Sequence, residues 1–210
     1  MELATLISFM LYSFVTSITP GPNNVMLTAS GLNFGFKRSV PHILGIGFGF
    51  GLMVTMVGLG LGSILISSPI LFEALRVAGI FYMLYLAWKI ATAGSSSSNG
   101  KIEKPLGFGG AAIFQWVNPK AWIMTMGAIT TYTTTDSTVL TFAFIGLLYG
   151  LISIPSVGVW ALLGEKFQHL LKDKRKVSIF NVSMGLLLAI STLSAINQSF
   201  GFFSSFVITS

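Results

Sequence analysis

A chain of 210 residues with 53% hydrophobic and only 9% charged residues, at a mean hydropathy of +0.81, lacks the polar surface of a water-facing globule, which carries about 25% charged residues. It reads as one integral membrane bundle, and the absence of cysteine excludes disulfides, thiol nucleophiles and thiolate metal sites. The net charge of +6 does not point to nucleic acid, because the basic residues stand at the edges of apolar runs, where membrane topology explains them.

The first apolar run, from Leu3 to about Leu32, is interrupted by Thr19-Pro20-Gly21-Pro22-Asn23-Asn24. Two prolines delete backbone donors and the glycine loosens the chain, so the i→i−4 ladder cannot pass unbroken. In hydrocarbon the freed carbonyls must find partners inside the protein or in a wet cavity. A lone proline is commonly a tolerated kink, but Pro-Gly-Pro-Asn-Asn is dense enough to read as a site. The only early charge is Glu2, unlike the basic n-region of a cleaved signal, so this run is expected to be a retained first span.

Six apolar segments reach the ~20 residues that cross ~30 Å of hydrocarbon: roughly 3–30, 41–66, 70–92, 107–132, 138–163 and 178–197. One side of the alternation holds Lys37, Arg38, Lys89, Lys101, Lys104, Lys166, Lys172, Lys174, Arg175 and Lys176; the other holds only Arg76. The positive-inside rule then places the basic loops in the cytoplasm and both termini outside. The tail from Gln198 to Ser210 is expected to extend the last helix or lie in the interface.

The stretch Gly94-Ser95-Ser96-Ser97-Ser98-Asn99-Gly100 reads as a flexible cytoplasmic linker. With residues 94–106 as linker, the chain divides into a first half, 1–93, and a second, 107–210. Three spans are an odd number, so two homologous halves would insert with opposite topology. Pro20 and Pro119 interrupt the first span of each half at an offset of 99 residues, and the same offset relates Gly47 and Gly51 to Gly146 and Gly150. The expected fold is therefore an all-α integral membrane protein of six transmembrane helices, arranged as two inverted three-helix repeats with helices 1 and 4 broken.

The third segment carries Tyr82, Tyr85 and Lys89 on one helical face, so the tyrosines could line a pathway, while Lys89 beside Trp88 suits an interfacial anchor. His42, after Pro41, suits an interfacial position. It lies far in sequence from His169, so no metal or cofactor is expected. Pro155 is a kink candidate without a polar neighbour. In the fourth segment Gln115-Trp116-Val117-Asn118-Pro119-Lys120 forms a second break. Asn at N-cap and Pro at N1 are helix-start chemistry, and a helix restarting there aims its positive dipole end into the membrane interior. Two such half-helix N-termini make a receptor for an anionic group, above all a carboxylate.

Lys120 at mid-span costs about 2.5–3.5 kcal/mol on insertion scales and is by default functional. It would pair with a substrate carboxylate or exchange protons; the alternative is that it snorkels or bonds carbonyls freed by Pro119. Asn23, Asn24, Gln115 and Asn118 should face the bundle interior, as ligands or as helix staples. No Asp or Glu falls clearly inside a segment, so a proton-coupled mechanism would have to use Lys120, His42, a tyrosine or the substrate.

Thr19-Pro20-Gly21-Pro22-Asn23, Gly35-Phe36-Lys37, Tyr82-xx-Tyr85-Leu86-Ala87-Trp88-Lys89 and Asn118-Pro119-Lys120 together resemble the LysE/RhtB family of bacterial amino-acid exporters over nearly the whole chain. Thr-Pro-Gly-Pro-Asn-Asn with Ala-Trp-Lys-Ile-Ala resembles its cysteine/O-acetylserine efflux branch. The resemblance implies secondary, proton-linked export of small amino acids or derivatives across the bacterial cytoplasmic membrane, and possible homodimers. The expected substrate-binding residues are Pro20, Gly21, Pro22, Asn23, Asn24, Tyr82, Tyr85, Gln115, Asn118, Pro119 and Lys120. A passive channel or assembly subunit is the alternative. An intramembrane enzyme would need a nucleophile–base pair or metal cluster, and no such motif is present.

Overall fold

The computed structural model describes residues 2–93, 104–134, 136–171 and 173–208. The Gly/Ser linker lies outside them. The described residues form helices only: α1 (Leu3–Ile18), α2 (Pro22–Phe34), α3 (Phe36–Met56), a π turn (Val57–Leu61), α4 (Gly62–Ile66), α5 (Pro69–Thr92), α6 (Phe108–Val117), α7 (Pro119–Tyr132), α8 (Val139–Leu170) and α9 (Lys174–Ile208). Three stretches, 36–64, 73–92 and 139–168, are each long and apolar enough to cross a membrane. The pair α1 and α2 passes the same test jointly, bent by 57°. Both interruptions read from the sequence are present, between α1 and α2 and between α6 and α7.

Several expectations need correction. α3, the second span, begins at Phe36 and carries Pro41 inside it, so His42 sits within the helix, buried at 1% exposure rather than interfacial. Pro41 is the sixth residue of α3, beyond the four N–H groups that lack helical acceptors, so it leaves Lys37 O without its i+4 donor. α8, the fifth span, runs on to Leu170 through Pro155 and takes Glu165 with it. That carboxylate accepts the Phe36 N–H at 3.0 Å and so caps α3, where Gly35 at φ 81 turns the chain from α2 into α3. The last helix extends through the tail to Ile208.

The pattern of burial is that of a bundle in an apolar solvent. Along α1 the inward positions are Phe9, Ser13 and Ser17, while Ile7, Leu11 and Phe14 face outward. Small polar residues inside and large apolar ones outside suit lipid, where burying apolar surface between helices gains little and close packing with internal hydrogen bonds must hold them. The most extensive packing joins α3 and α8, which cross antiparallel: Gly47 meets Gly150 and Gly51 meets Gly146. A methyl group at Gly150 would lie 2.7 Å from Gly47 O, and one at Gly51 would lie 2.6 Å from Gly146 O.

Gly150→Val should therefore push α3 and α8 apart and lower stability in detergent by about 1–3 kcal/mol or more. Gly109→Ala, where an added methyl would meet nothing within 4 Å, should be neutral. Thermal unfolding followed by size-exclusion chromatography compares the two.

Candidate functional site

At the first break Thr19 is extended (φ −64, ψ 143) and α2 restarts with Pro22 at N1 behind Gly21. The end of α1 is left with carbonyls that no longer have helical donors, and side chains from three helices satisfy them. Trp160 Nε1 of α8 donates to Ile18 O at 3.0 Å. Asn24 Nδ2 of α2 donates to Ser17 O at 3.0 Å and to Thr19 O at 2.6 Å. Lys120 Nζ of α7 donates to Thr19 O at 2.6 Å, Thr19 Oγ1 at 2.9 Å and Pro20 O at 3.1 Å. The lysine thus bonds carbonyls freed by the other break, 101 residues away, not those freed by its own proline. Its three N–H donors meet three acceptors in the α1–α2 break.

The second break is built differently. Asn118 caps α7, its Oδ1 accepting the Lys120 N–H at 3.1 Å, and Trp122 Nε1 covers Trp116 O at 2.8 Å. Gln115 reaches across to the first break. Asn23 Nδ2 donates to Gln115 Oε1 at 2.8 Å, and Gln115 Nε2 donates to Asn23 Oδ1 at 3.2 Å and to Ala111 O at 2.9 Å. The two breaks are therefore joined twice, by a reciprocal amide pair and by an ammonium on carbonyls.

Between them lies a cavity of about 20 Å³, room for about one water. Its lining includes Ser17, Asn23, Asn24, Asn118 and Lys120, with Phe50 and Val157 as apolar wall. Two buried polar atoms there, Ser17 Oγ and Asn24 Oδ1, have no hydrogen-bond partner among the described residues. The N-terminus of α2 has no side-chain cap, so the N–H groups of Asn23 and Asn24, the second and third residues of that helix, precede its first internal bond, Val25 N–H to Gly21 O. Uncapped donors, orphan acceptors and one ammonium converge on one small space. Among the described residues, Lys120 is the only Lys, Arg, His, Asp, Glu or Tyr on its wall.

Of the expected residues, Gly21, Asn23, Asn24, Asn118 and Lys120 line this cavity, and Pro20 and Gln115 bond groups that do. Pro22 and Pro119 open α2 and α7. Tyr82 packs against Phe114 at 6.0 Å between centroids and stacks on Tyr85 at 6.3 Å; neither ring lines the cavity. Sequence reading missed Ser17, whose signal was the Phe9-Ser13-Ser17 spacing on one face of α1, and Ser153 of α8. It also missed Tyr149, whose hydroxyl lies 2.5 Å from Thr16 Oγ1 at the cavity edge; one tyrosine in an apolar helix carries no such signal.

The family model described as LysE type translocator matches residues 14–198. The chain belongs to the LysE family. It is accordingly a multi-pass transporter of the bacterial cytoplasmic membrane and an amino-acid exporter. Among curated relatives, it is 31% identical over 183 residues, 86% of this chain and 92% of the other, to a cysteine/O-acetylserine efflux protein of Salmonella typhimurium. It is 32% identical over 187 residues, 88% of this chain and 94% of the other, to the protein of that name in Escherichia coli K12. No solved structure matches this LysE chain.

Removing one partner of the amide pair strands a buried group, so Gln115→Leu should cost about 1–3 kcal/mol of stability. Asn23→Leu combined with Gln115→Leu should cost less than the sum of the single changes. A double-mutant cycle of thermal unfolding in detergent measures the coupling, and strict additivity would deny the cross-break bond.

Proposed function

We propose that this LysE protein exports small neutral amino acids of the cysteine and O-acetylserine type, by proton-linked alternating access around the paired helix breaks. The observation that carries the reading is Lys120 seated on the carbonyls of Thr19 and Pro20. With space for about one water in the cavity, the arrangement describes a closed carrier latched by its own ammonium.

Binding then exchanges like for like. The substrate carboxylate takes Lys120 and the uncapped N–H groups of Asn23 and Asn24, at the positive end of the α2 dipole. The carbonyls that Lys120 leaves, at the negative end of α1, accept the substrate ammonium group. Asn24 Oδ1 and Ser17 Oγ, without partners among the described residues, supply further acceptors. As the one readily titrating group on the cavity wall, Lys120 is also the proposed carrier of the coupling proton.

The same reading takes residues 1–93 and 107–210 as inverted repeats of three spans each, with both termini outside. The offset of 99 supports it. Under that offset the contact Gly47–Gly150 becomes Gly146–Gly51, and both contacts occur. Gly47 also meets Ile154 while Gly146 meets Thr55, which are again equivalent positions. Gly21 and Lys120 are equivalents that touch each other: a methyl at Gly21 would lie 2.6 Å from Lys120 Cδ. Mutual contacts of this kind are what a local two-fold axis through the breaks and the glycine crossing requires.

In proteoliposomes, labelled O-acetylserine should exchange against the unlabelled compound, trans-stimulated as a carrier requires and an open channel does not. Lys120→Ala and Asn24→Ala should abolish this counterflow while protein still inserts, because the first removes the cation proposed to hold the carboxylate and the second strands carbonyls at a cost of about 1–3 kcal/mol. Undiminished counterflow in both variants would overturn the site. For orientation, Asp136→Cys in this cysteine-free chain should react with an impermeant maleimide in spheroplasts. Arg38→Cys should react only after permeabilisation; the reverse pattern would invert the topology.

A further inference from the structure

A second cavity, of about 200 Å³ against about 20 Å³ for the central one, lies at the end of the bundle where α2 and α5 finish and α6 is about to begin. Its polar wall is Ser30, Asn33, His42, Lys89 and Lys104. Among the described residues no Asp or Glu is on that wall; the carboxylate on the adjoining α3 N-terminus, Glu165, is engaged by the Phe36 N–H. Two ammonium groups with no carboxylate among the described lining residues make a concave basic surface that concentrates anions. Asn33 is fixed by a reciprocal amide pair with Asn181 at 2.8 and 3.0 Å, and Asn181 Nδ2 also holds Ala93 O at 2.8 Å, so the wall is rigid where α2, α5 and α9 meet.

His42 makes this cavity more than a charged dent. Its side chain is 1% exposed, and both ring nitrogens are without a hydrogen-bond partner among the described residues. A buried imidazole with an unmet donor and an unmet acceptor is strongly selected against unless something comes to it. On α3, His42 stands one helical turn from Ile46, which lines the central cavity. On α2, Asn33 is nine residues, roughly 14 Å, from Asn24. The same two helices thus wall both spaces, and the histidine lies at the boundary.

We propose that this basic chamber is an entrance station that binds the exported amino acid before it reaches the closed central site. Lys89 and Lys104 hold the carboxylate, and His42 offers its acceptor nitrogen to the substrate ammonium and its N–H to a polar side-chain atom. The volume suits a small zwitterion and is below the ~300 Å³ at which drug-sized pockets begin. The assignment rests on the exporter reading above. A carboxylate and a lipid phosphate share the chemistry that two lysines recognise, so the test separates them.

The experiment uses Ser30→Cys as the single thiol of the full chain, in nanodiscs of zwitterionic lipid, with thiosulfonate reagents of opposite charge. The anionic reagent should modify the introduced thiol about tenfold or more faster than the cationic one, and saturating O-acetylserine should slow the reaction. Lys89→Gln with Lys104→Gln should erase the charge preference. His42→Phe should keep the preference and lose the protection. Equal rates for the two reagents, or protection indifferent to both sets of changes, would overturn the chamber. Blocking by phosphatidylglycerol in the nanodisc without any amino acid would assign it to a lipid headgroup and equally overturn the proposal. Lys120→Ala should lose counterflow yet keep the protection. Protection in a Ser30→Cys protein that, like the wild type, shows no counterflow would refute the exporter reading and leave the chamber standing.

Discussion

Hydrocarbon offers no partner to a freed peptide group, and the rest of this molecule follows from that constraint. Pro20 and Pro22 release carbonyls at the end of α1, where Ile18 is half-buried and Thr19 and Pro20 are exposed on an apolar bundle. Each must be met by a protein group or by water, because a carbonyl left unsatisfied in hydrocarbon costs several kcal/mol. Trp160, Asn24 and Lys120 meet them, and in doing so tie α8, α2 and α7 to one point. The break thus interrupts the helical ladder and is also the point at which hydrogen bonds join α1, α2, α7 and α8.

The ties differ in kind, and the difference matters for transport. The Trp160 and Asn24 bonds are neutral and local to packed helices, well suited to hold geometry. The Lys120 bond is an ion on dipoles, strong in a low dielectric yet replaceable by any group of equal charge. A substrate that brings both an ammonium and a carboxylate can release the lysine without leaving either the carbonyls or the lysine unpaired. A ligand carrying only one of those charges leaves the other partner stranded. On the proposed mode of binding, selection for zwitterions would follow from the need to satisfy these groups, without a dedicated specificity pocket.

Much of this was legible in the sequence, and what was legible shares a cause. Proline and glycine act on the backbone wherever they stand, so the breaks at Pro20-Gly21-Pro22 and Asn118-Pro119 could be read directly, as could the N-cap role of Asn118. The partner of Lys120 could not: it lies 101 residues away, and only tertiary packing decides that Thr19 O, not a carbonyl beside Pro119, is within reach. The Asn23–Gln115 pair and the covering of Ile18 O by Trp160 were hidden for the same reason. Tyr82 and Tyr85 share a helical face as the spacing requires, yet the face is turned to Phe114 and outward. His42 reads as interfacial because it follows a proline near charges; its burial comes from α3 starting at Phe36, a full turn and more before that proline.

The central claim is the contact between Lys120 and the opposite break, and solid-state nuclear magnetic resonance of the natural sequence in bilayers addresses it directly. With side-chain nitrogen label in lysine and carbonyl carbon label in threonine and proline, the Lys120 ammonium should be dephased by both the Thr19 and Pro20 carbonyls in the empty protein. That coupling should vanish on saturation with O-acetylserine. A Lys120 signal that shows no dipolar coupling to either carbonyl in the empty state would contradict the account.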